Sequence, residues 1–174
     1  MEYDQIHALE ILQRTPSVLK ALLIDLSDEW IMNNEGEDSF SPFDVVGHLI
    51  YGEKTDWMIR VERILSSGTS KPFDVFDRFA IYTESKGKTM QQLLQEFETL
   101  RKQNITWLNS LALQESDYSR KGLHPVLGEV TLGNLLATWV VHDLTHIAQI
   151  TRVMAKQYKP AIGPWTEFMR ILNF

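Results

Sequence analysis

The chain of 174 residues contains no cysteine. That absence excludes disulfides, thiolate-ligated zinc and a cysteine nucleophile, and it leaves any bound metal to histidine and carboxylate ligands. If thiol chemistry takes place here, the thiol is brought from outside. Basic charge is also scarce: 17 Lys and Arg stand against 23 Asp and Glu, a net charge of −6, so a nucleic-acid partner is disfavoured. The Arg120-Lys121 pair is too small to reverse that and reads as a solvated loop. Long hydrophobic runs are missing as well. The apolar stretches are short and interrupted by charge, so no membrane span is expected. The first residues, Met1-Glu2-Tyr3-Asp4-Gln5, have neither the basic nor the apolar region of a secretory leader, and the cytoplasm is the expected compartment.

What is present is the balance of an ordinary globular protein, 44% hydrophobic and 23% charged, which excludes a disordered chain. The length fits one domain over residues 1–174, with enough chain to bury a core. Helical periodicity dominates, and Pro and Gly fall between the periodic stretches rather than inside them. The expected fold class is all-α: a four-helix bundle with a long crossover connection and a short C-terminal helix.

Leu9 and Leu12 begin the first helix, which Arg14-Thr15-Pro16 should break or kink, with Thr15 as N-cap and Pro16 at N1. Ser41-Pro42 repeats that start for a second helix running to about Ser66. From Ser67 to Lys88 the aromatics Phe73, Phe76, Phe79 and Tyr82 predict an ordered connection packed against the bundle. Thr89 to Gln92 matches a capping box at the head of a third, amphipathic helix. Lys121 to Val130 reads as a turn or small hairpin, and Thr131 caps a fourth long helix reaching about Tyr158. The segment from Gly163 to Leu172 reads as a short terminal helix docked by its aromatics.

His142 and His146 are four residues apart, so on a helix both imidazoles project from one face and can grip one metal ion. Leu135, Trp139, His142, His146, Ile150 and Val153 form one stripe, which places both rings on a core-facing surface. An imidazole there must find partners for its nitrogens or bear a burial cost of roughly 1–3 kcal/mol. A metal takes one nitrogen from each ring. Hydrogen bonds to neighbouring side chains are the competing reading. His48, beside Val45, Gly52, Thr55 and Ile59 on the second helix, is the best third ligand, and Gly52 leaves space next to it. Three histidines from two helices would leave an open coordination position, the arrangement of catalytic rather than structural sites. Imidazole ligands suit zinc, nickel, copper or iron.

Gln149 lies on the same stripe and Asp143 on its flank; either could line the pocket or orient a ligand, and these two are the candidate catalytic residues. Asp44, one turn before His48, could orient that ring, although a solvated acid near a helix N-terminus is the more common meaning. Glu53 lies too far around the helix from His48 to be a convincing general base. His124 could cover a pocket mouth, His7 reads as structural, and Trp57, Trp107, Trp139 and Trp165 read as core, with Trp139 close enough to the pair to line a cavity. His-Asp-x-x-His departs from the zinc-protease motif because Asp is one methylene shorter than the Glu base.

With Ser-Pro-Phe-Asp-Val-Val-Gly-His-Leu on the second helix, Thr-Leu-x-x-Leu-Leu-Ala-Thr-Trp-Val-Val-His-Asp-Leu-Thr-His-Ile-Ala-Gln on the fourth and Gly-Pro-Trp near the end, the chain resembles the DinB/YfiT-like superfamily over nearly its whole length. The resemblance implies a four-helix bundle, often dimeric. It also implies a divalent transition metal, zinc or nickel first, held at the positions of His48, His142 and His146. Characterised members include thiol-dependent transferases and a mycothiol-dependent isomerase, and many others are assigned as metal-dependent hydrolases. The expected partners are therefore a small-molecule substrate, a low-molecular-weight thiol and a second copy of the chain. Fold alone does not choose the reaction. The leading expectation is a metal-dependent enzyme, an S-transferase or hydrolase in which a thiol or water attacks a small electrophile. The alternative is a non-catalytic metal-binding bundle, a stress-related binding or dimeric structural protein.

Overall fold

A computed structural model describes residues 2–77 and 79–173. Its helices are α1 (Gln5–Leu12), α2 (Thr15–Leu23), α3 (Asp28–Met32), α4 (Pro42–Thr55), α5 (Trp57–Ser67), α6 (Ile81–Glu84), α7 (Met90–Ser110) and α8 (Leu132–Gln157), with an antiparallel hairpin, β1 (Lys121–His124) and β2 (Gly128–Thr131), between α7 and α8. Four helical columns make a bundle: α1 with α2, α4 with α5, α7, and α8. The first column packs on α7 and α8, and so does the α4–α5 column, so these two columns face each other across the bundle. Among the described residues no helix is long and apolar enough to cross a membrane.

Local chemistry sets the ends of these helices. Ser41 with Asp44, Thr89 with Gln92 and Thr131 with Asn134 form reciprocal capping boxes, so the three helices that matter most for the site start at fixed points. Two breaks differ from expectation. Thr15 does not cap α2: Arg14 already has helical angles, and the Thr15 hydroxyl donates back to the Ile11 carbonyl. The first column is thus kinked rather than restarted, with Pro16 tolerated in the first turn. The second helix does not run unbroken to Ser66. Thr55 Oγ1 donates to the Tyr51 carbonyl, a back-bond that bends helices, and Asp56 is distorted from ideal helical angles at φ −119°, ψ −73°.

The core divides into two apolar bodies. One joins Leu19, Leu23, Val45, Leu49, Phe97 and Ile150; the other joins Leu12, Trp57, Val61, Leu108, Leu132 and Trp139. Glu53, Arg101 and Asp143, all buried, fall between them in sequence on three different helices. The hairpin is tied to the segment that follows α5, where Phe73 N donates to the Leu123 carbonyl, and its first strand packs on α5 itself. There Gly122 approaches so closely that a Cβ would stand 2.6 Å from Ile64 Cγ1.

The C-terminal segment forms two 3-10 turns, Gly163–Phe168 and Arg170–Leu172, closed by i to i−3 bonds. Its aromatics do not dock it. Trp165 and Phe168 are 68% and 72% exposed, and Leu172 is the side chain that buries itself where the last turn meets α8.

Candidate metal centre and cavity

Helix α4 carries His48 and α8 carries His142 and His146, and the crossing of these helices brings one ring nitrogen from each residue within 4.8 Å of the others. His142 Nε2 is the shared vertex, 3.1 Å from His48 Nε2 and 3.1 Å from His146 Nε2. His146 Nδ1 donates to Gln149 Oε1 at 2.8 Å, which leaves the His146 Nε2 lone pair bare and aimed at the cluster. A single hydrogen on His142 Nε2 cannot point at both neighbours, whereas a cation satisfies all three lone pairs. Nitrogens about 2.0–2.1 Å from one tetrahedral ion stand about 3.3 Å apart, close to the spacing seen here.

The two rings of α8 are held neutral. Burial, then the neighbouring His146 and His48, push His142 down to about 2. Burial also lowers His146, against the opposing bond from Gln149. His142 Nδ1 is buried without a hydrogen-bond partner among the described residues. Trp57 stands edge-on to His142 at 5.1 Å and Phe76 edge-on to His48 at 5.3 Å, so apolar surface limits how far either ring can turn. Imidazole nitrogens converging in this way fit a divalent transition metal, and His48, His142 and His146 are the residues that could hold one.

A cavity of about 310 Å³ opens beside the cluster, with His48 and His142 in its wall. Trp57, Phe73, Phe76, Leu127 and Leu135 supply most of its apolar lining. Among the described residues its charged groups are Asp56 and Arg60, paired at 2.5 Å between Arg60 Nε and Asp56 Oδ1. Burial raises Asp56 to about 6, against the opposing charge of Arg60.

The other candidates fall as follows. Gln149 touches the cluster through His146. Asp143 is fully buried, both its oxygens taken by Arg101, so it lies in the scaffold rather than on the cavity wall. Asp44 caps α4 through Ser41 instead of orienting His48. Glu53 is equally occupied, accepting from Arg101, Asn104 and Trp139. His124 does line the cavity, its Nδ1 accepting the Val126 and Leu127 amides across the hairpin turn. Trp139 is core, as expected, and does not reach the cavity lining, whereas Trp57, equally buried in the core, also forms part of the wall. His7 sits on the first turn of α1 beside Asp4.

Sequence reasoning does not single out Arg101, Asp56 or Arg60. The signals were there: Phe97, Arg101, Ile105 and Leu108 place a charge in the apolar stripe of α7, and His48, Gly52, Asp56 and Arg60 run at steps of four.

Among solved structures, the chain is similar to YfiT from Bacillus subtilis, described as a probable metal-dependent hydrolase with an unusual four-helix bundle topology. The two share 23% identity over 87% of this chain and 86% of that one, with a TM-score of 0.74. It is also similar to TT2238, a four-helix bundle protein, at 18% identity over 85% of this chain and 98% of that one, with a TM-score of 0.58. These likenesses establish the fold. No curated protein matches the sequence. The family model of the DinB superfamily matches residues 11–150, which take in all three clustered histidines, and the chain belongs to that superfamily.

Proposed function

We propose that this protein is a metal-dependent enzyme in which His48, His142 and His146 hold one divalent ion, zinc or nickel, for the activation of a water or an external thiol. The observation that carries this reading is the convergence of three Nε2 atoms at the wall of a cavity. When bound, such an ion lowers the pKa of a ligated water or thiol, so that a nucleophile exists near neutral pH. Structural sites close their coordination with four protein ligands; here the cluster found among the described residues has three, and the space beside it belongs to the cavity. The description of YfiT as a probable metal-dependent hydrolase supports the water branch, and the absence of cysteine requires that any thiol be a second substrate.

The chain's own groups have separable tasks. Gln149 fixes the His146 tautomer, so that Nε2 rather than Nδ1 faces the cluster. Trp57, Phe76 and Leu135 exclude water from one side and offer an apolar bed for the body of a substrate. Attack forms a bond from oxygen or sulfur to the electrophilic carbon while the bond to the leaving group breaks, and the proton of the water or thiol passes to solvent.

The test is elemental analysis of protein stripped by a chelator and reloaded, followed by turnover of an activated ester in water and of a haloarene with low-molecular-weight thiols. One ion per chain, lost in His142→Ala, with metal-dependent turnover in either assay, is the expected result. Stoichiometric metal retained in His142→Ala overturns the ligand set. Tight metal binding with no turnover by any common divalent ion favours a non-catalytic metal-binding bundle.

A further inference from the structure

The line His48, Gly52, Asp56, Arg60 runs along one wall of the cavity. About 12 Å of helix rise separate His48 from Asp56, so the cavity has a histidine end and an ion-pair end. Arg60 is the one Lys or Arg in the lining among the described residues, and its side chain is only 13% exposed. Two contacts hold it in place: Nε pairs with Asp56 Oδ1 at 2.5 Å, and the guanidinium carbon lies 5.2 Å from the centroid of the Phe73 ring. Both leave the Nη1 and Nη2 edge uncommitted; among the described residues it carries no hydrogen bond. That edge is a planar fork matched to a carboxylate, and it is already immobilised in an apolar setting.

We propose that the cavity takes a small organic acid whose carboxylate is held by the Nη1 and Nη2 edge of Arg60, resting on the reading of the histidine end as the reactive centre. The carboxylate sits at the Arg60 end, an apolar or aromatic body lies along Trp57 and Phe73, and the reacting group reaches His48 and His142. Asp56 is the positioning residue: its ion pair with Nε holds the Arg60 side chain in the cavity lining. A phosphate is the poorer match, because one guanidinium leaves most of its oxygens unserved beside aromatic walls. The ion pair thus sets specificity independently of the nucleophile, since the same anchor serves a hydrolase or a thiol transferase.

The probes are 3-phenylpropanoate, its neutral amide and inorganic phosphate, titrated calorimetrically into the chelator-stripped protein and again into the metal-loaded protein. The acid is expected to bind stripped wild type, with the amide and phosphate each at least about 10-fold weaker and with Arg60→Gln weakening the acid by roughly 10–100-fold. Arg60→Lys should retain part of that affinity. Arg63→Gln, whose partner Asp74 lies outside the cavity wall, should leave it unchanged. Equal affinity for acid and amide, acid binding unaffected by Arg60→Gln, tighter binding of phosphate, or no binding of the acid overturns the proposal. The comparison of acid with amide needs no variant, so a misfolded Arg60→Gln does not shield the idea. Acid that binds only the loaded protein, indifferent to Arg60→Gln, places the carboxylate on the metal and overturns the anchor. Arg60-dependent binding without metal uptake instead counts against the metal reading alone.

Discussion

Arg101 grips Asp143 with both terminal nitrogens, Nη1 to Oδ2 at 2.5 Å and Nη2 to Oδ1 at 2.9 Å, in a region where neither side chain is more than 1% exposed. The same guanidinium bonds Glu53 Oε1 on α4 and the Leu12 carbonyl on α1. One side chain of α7 therefore ties together all four columns. Because Asp143 adjoins His142 in sequence and Glu53 lies five residues after His48, the clamp sets the height of α8 against α4, and with it the spacing of the histidine cluster. Burial alone would lower the Arg101 pKa, but the charges of Glu53 and Asp143 outweigh it and raise it, so the guanidinium stays ionised.

Removing that charge should be severe. Arg101→Met leaves two buried carboxylates facing each other without a cation, a change that costs about 3–5 kcal/mol when one partner of a buried ion pair is deleted. Urea denaturation of metal-free protein reads the loss. A change below about 1 kcal/mol would show that the network is a passive passenger in the core.

Gln149→Leu should act on the metal rather than on the fold. It removes the acceptor that pins His146 Nδ1, frees the ring to take the other tautomer, and is expected to weaken metal binding by roughly 10–100-fold. Competition with a chromophoric chelator measures the affinity, and thermal unfolding of the stripped protein checks that stability is little changed. Unaltered affinity would mean that the tautomer is fixed by something else.

The parts of this architecture written in local sequence were legible there. Capping residues at Thr89 and Thr131, the hairpin punctuated by Pro125 and Gly128, and the stripe through His142 and His146 depend on neighbours a few residues away, and each has its expected form. The Arg101 hub was not legible, because its partners lie 42 to 89 residues distant and nothing local pairs them. That Trp57, a core residue as expected, also forms part of the cavity wall was hidden for the same reason. The bend at Asp56 turns the α5 ring toward the cavity, and a back-bond from Thr55 is too weak a sequence signal to announce it. The terminal aromatics misled because composition promised burial that, among the described residues of the segment, only Leu172 delivers.

The metal-free protein should lose stability as pH falls below the ordinary histidine range. His142 in the folded state is pushed down to about 2, whereas the unfolded chain takes up its proton near 6.5. Between those values the unfolded state binds more protons, so acidification favours unfolding. Asp56, raised to about 6, works in the opposite sense between its unfolded value near 3.8 and 6. A difference between variants isolates the histidine: from pH 7 to pH 5 the Tm of stripped wild type should fall more steeply than that of His142→Gln. Parallel profiles would mean that His142 takes up its proton in the fold as easily as out of it.

Gly122→Ala tests whether the hairpin is a structural wall of the cavity. The added methyl would stand 2.6 Å from Ile64 Cγ1 and 2.8 Å from Phe73 Cζ, both too short to keep, and neither neighbour is free to retreat, since Ile64 and Phe73 are buried. Overpacking of this kind costs typically about 1–3 kcal/mol. Relief comes most readily by lifting the strand that carries His124 and by displacing the Phe73 ring, which lies beneath the Arg60 guanidinium. The variant should therefore show faster amide exchange at Phe73, whose N–H is held by the Leu123 carbonyl, while metal affinity at the distant histidine end stays within about 2-fold of wild type. Equal loss at both ends would mean that the cavity yields as one unit and that the hairpin is no separate wall.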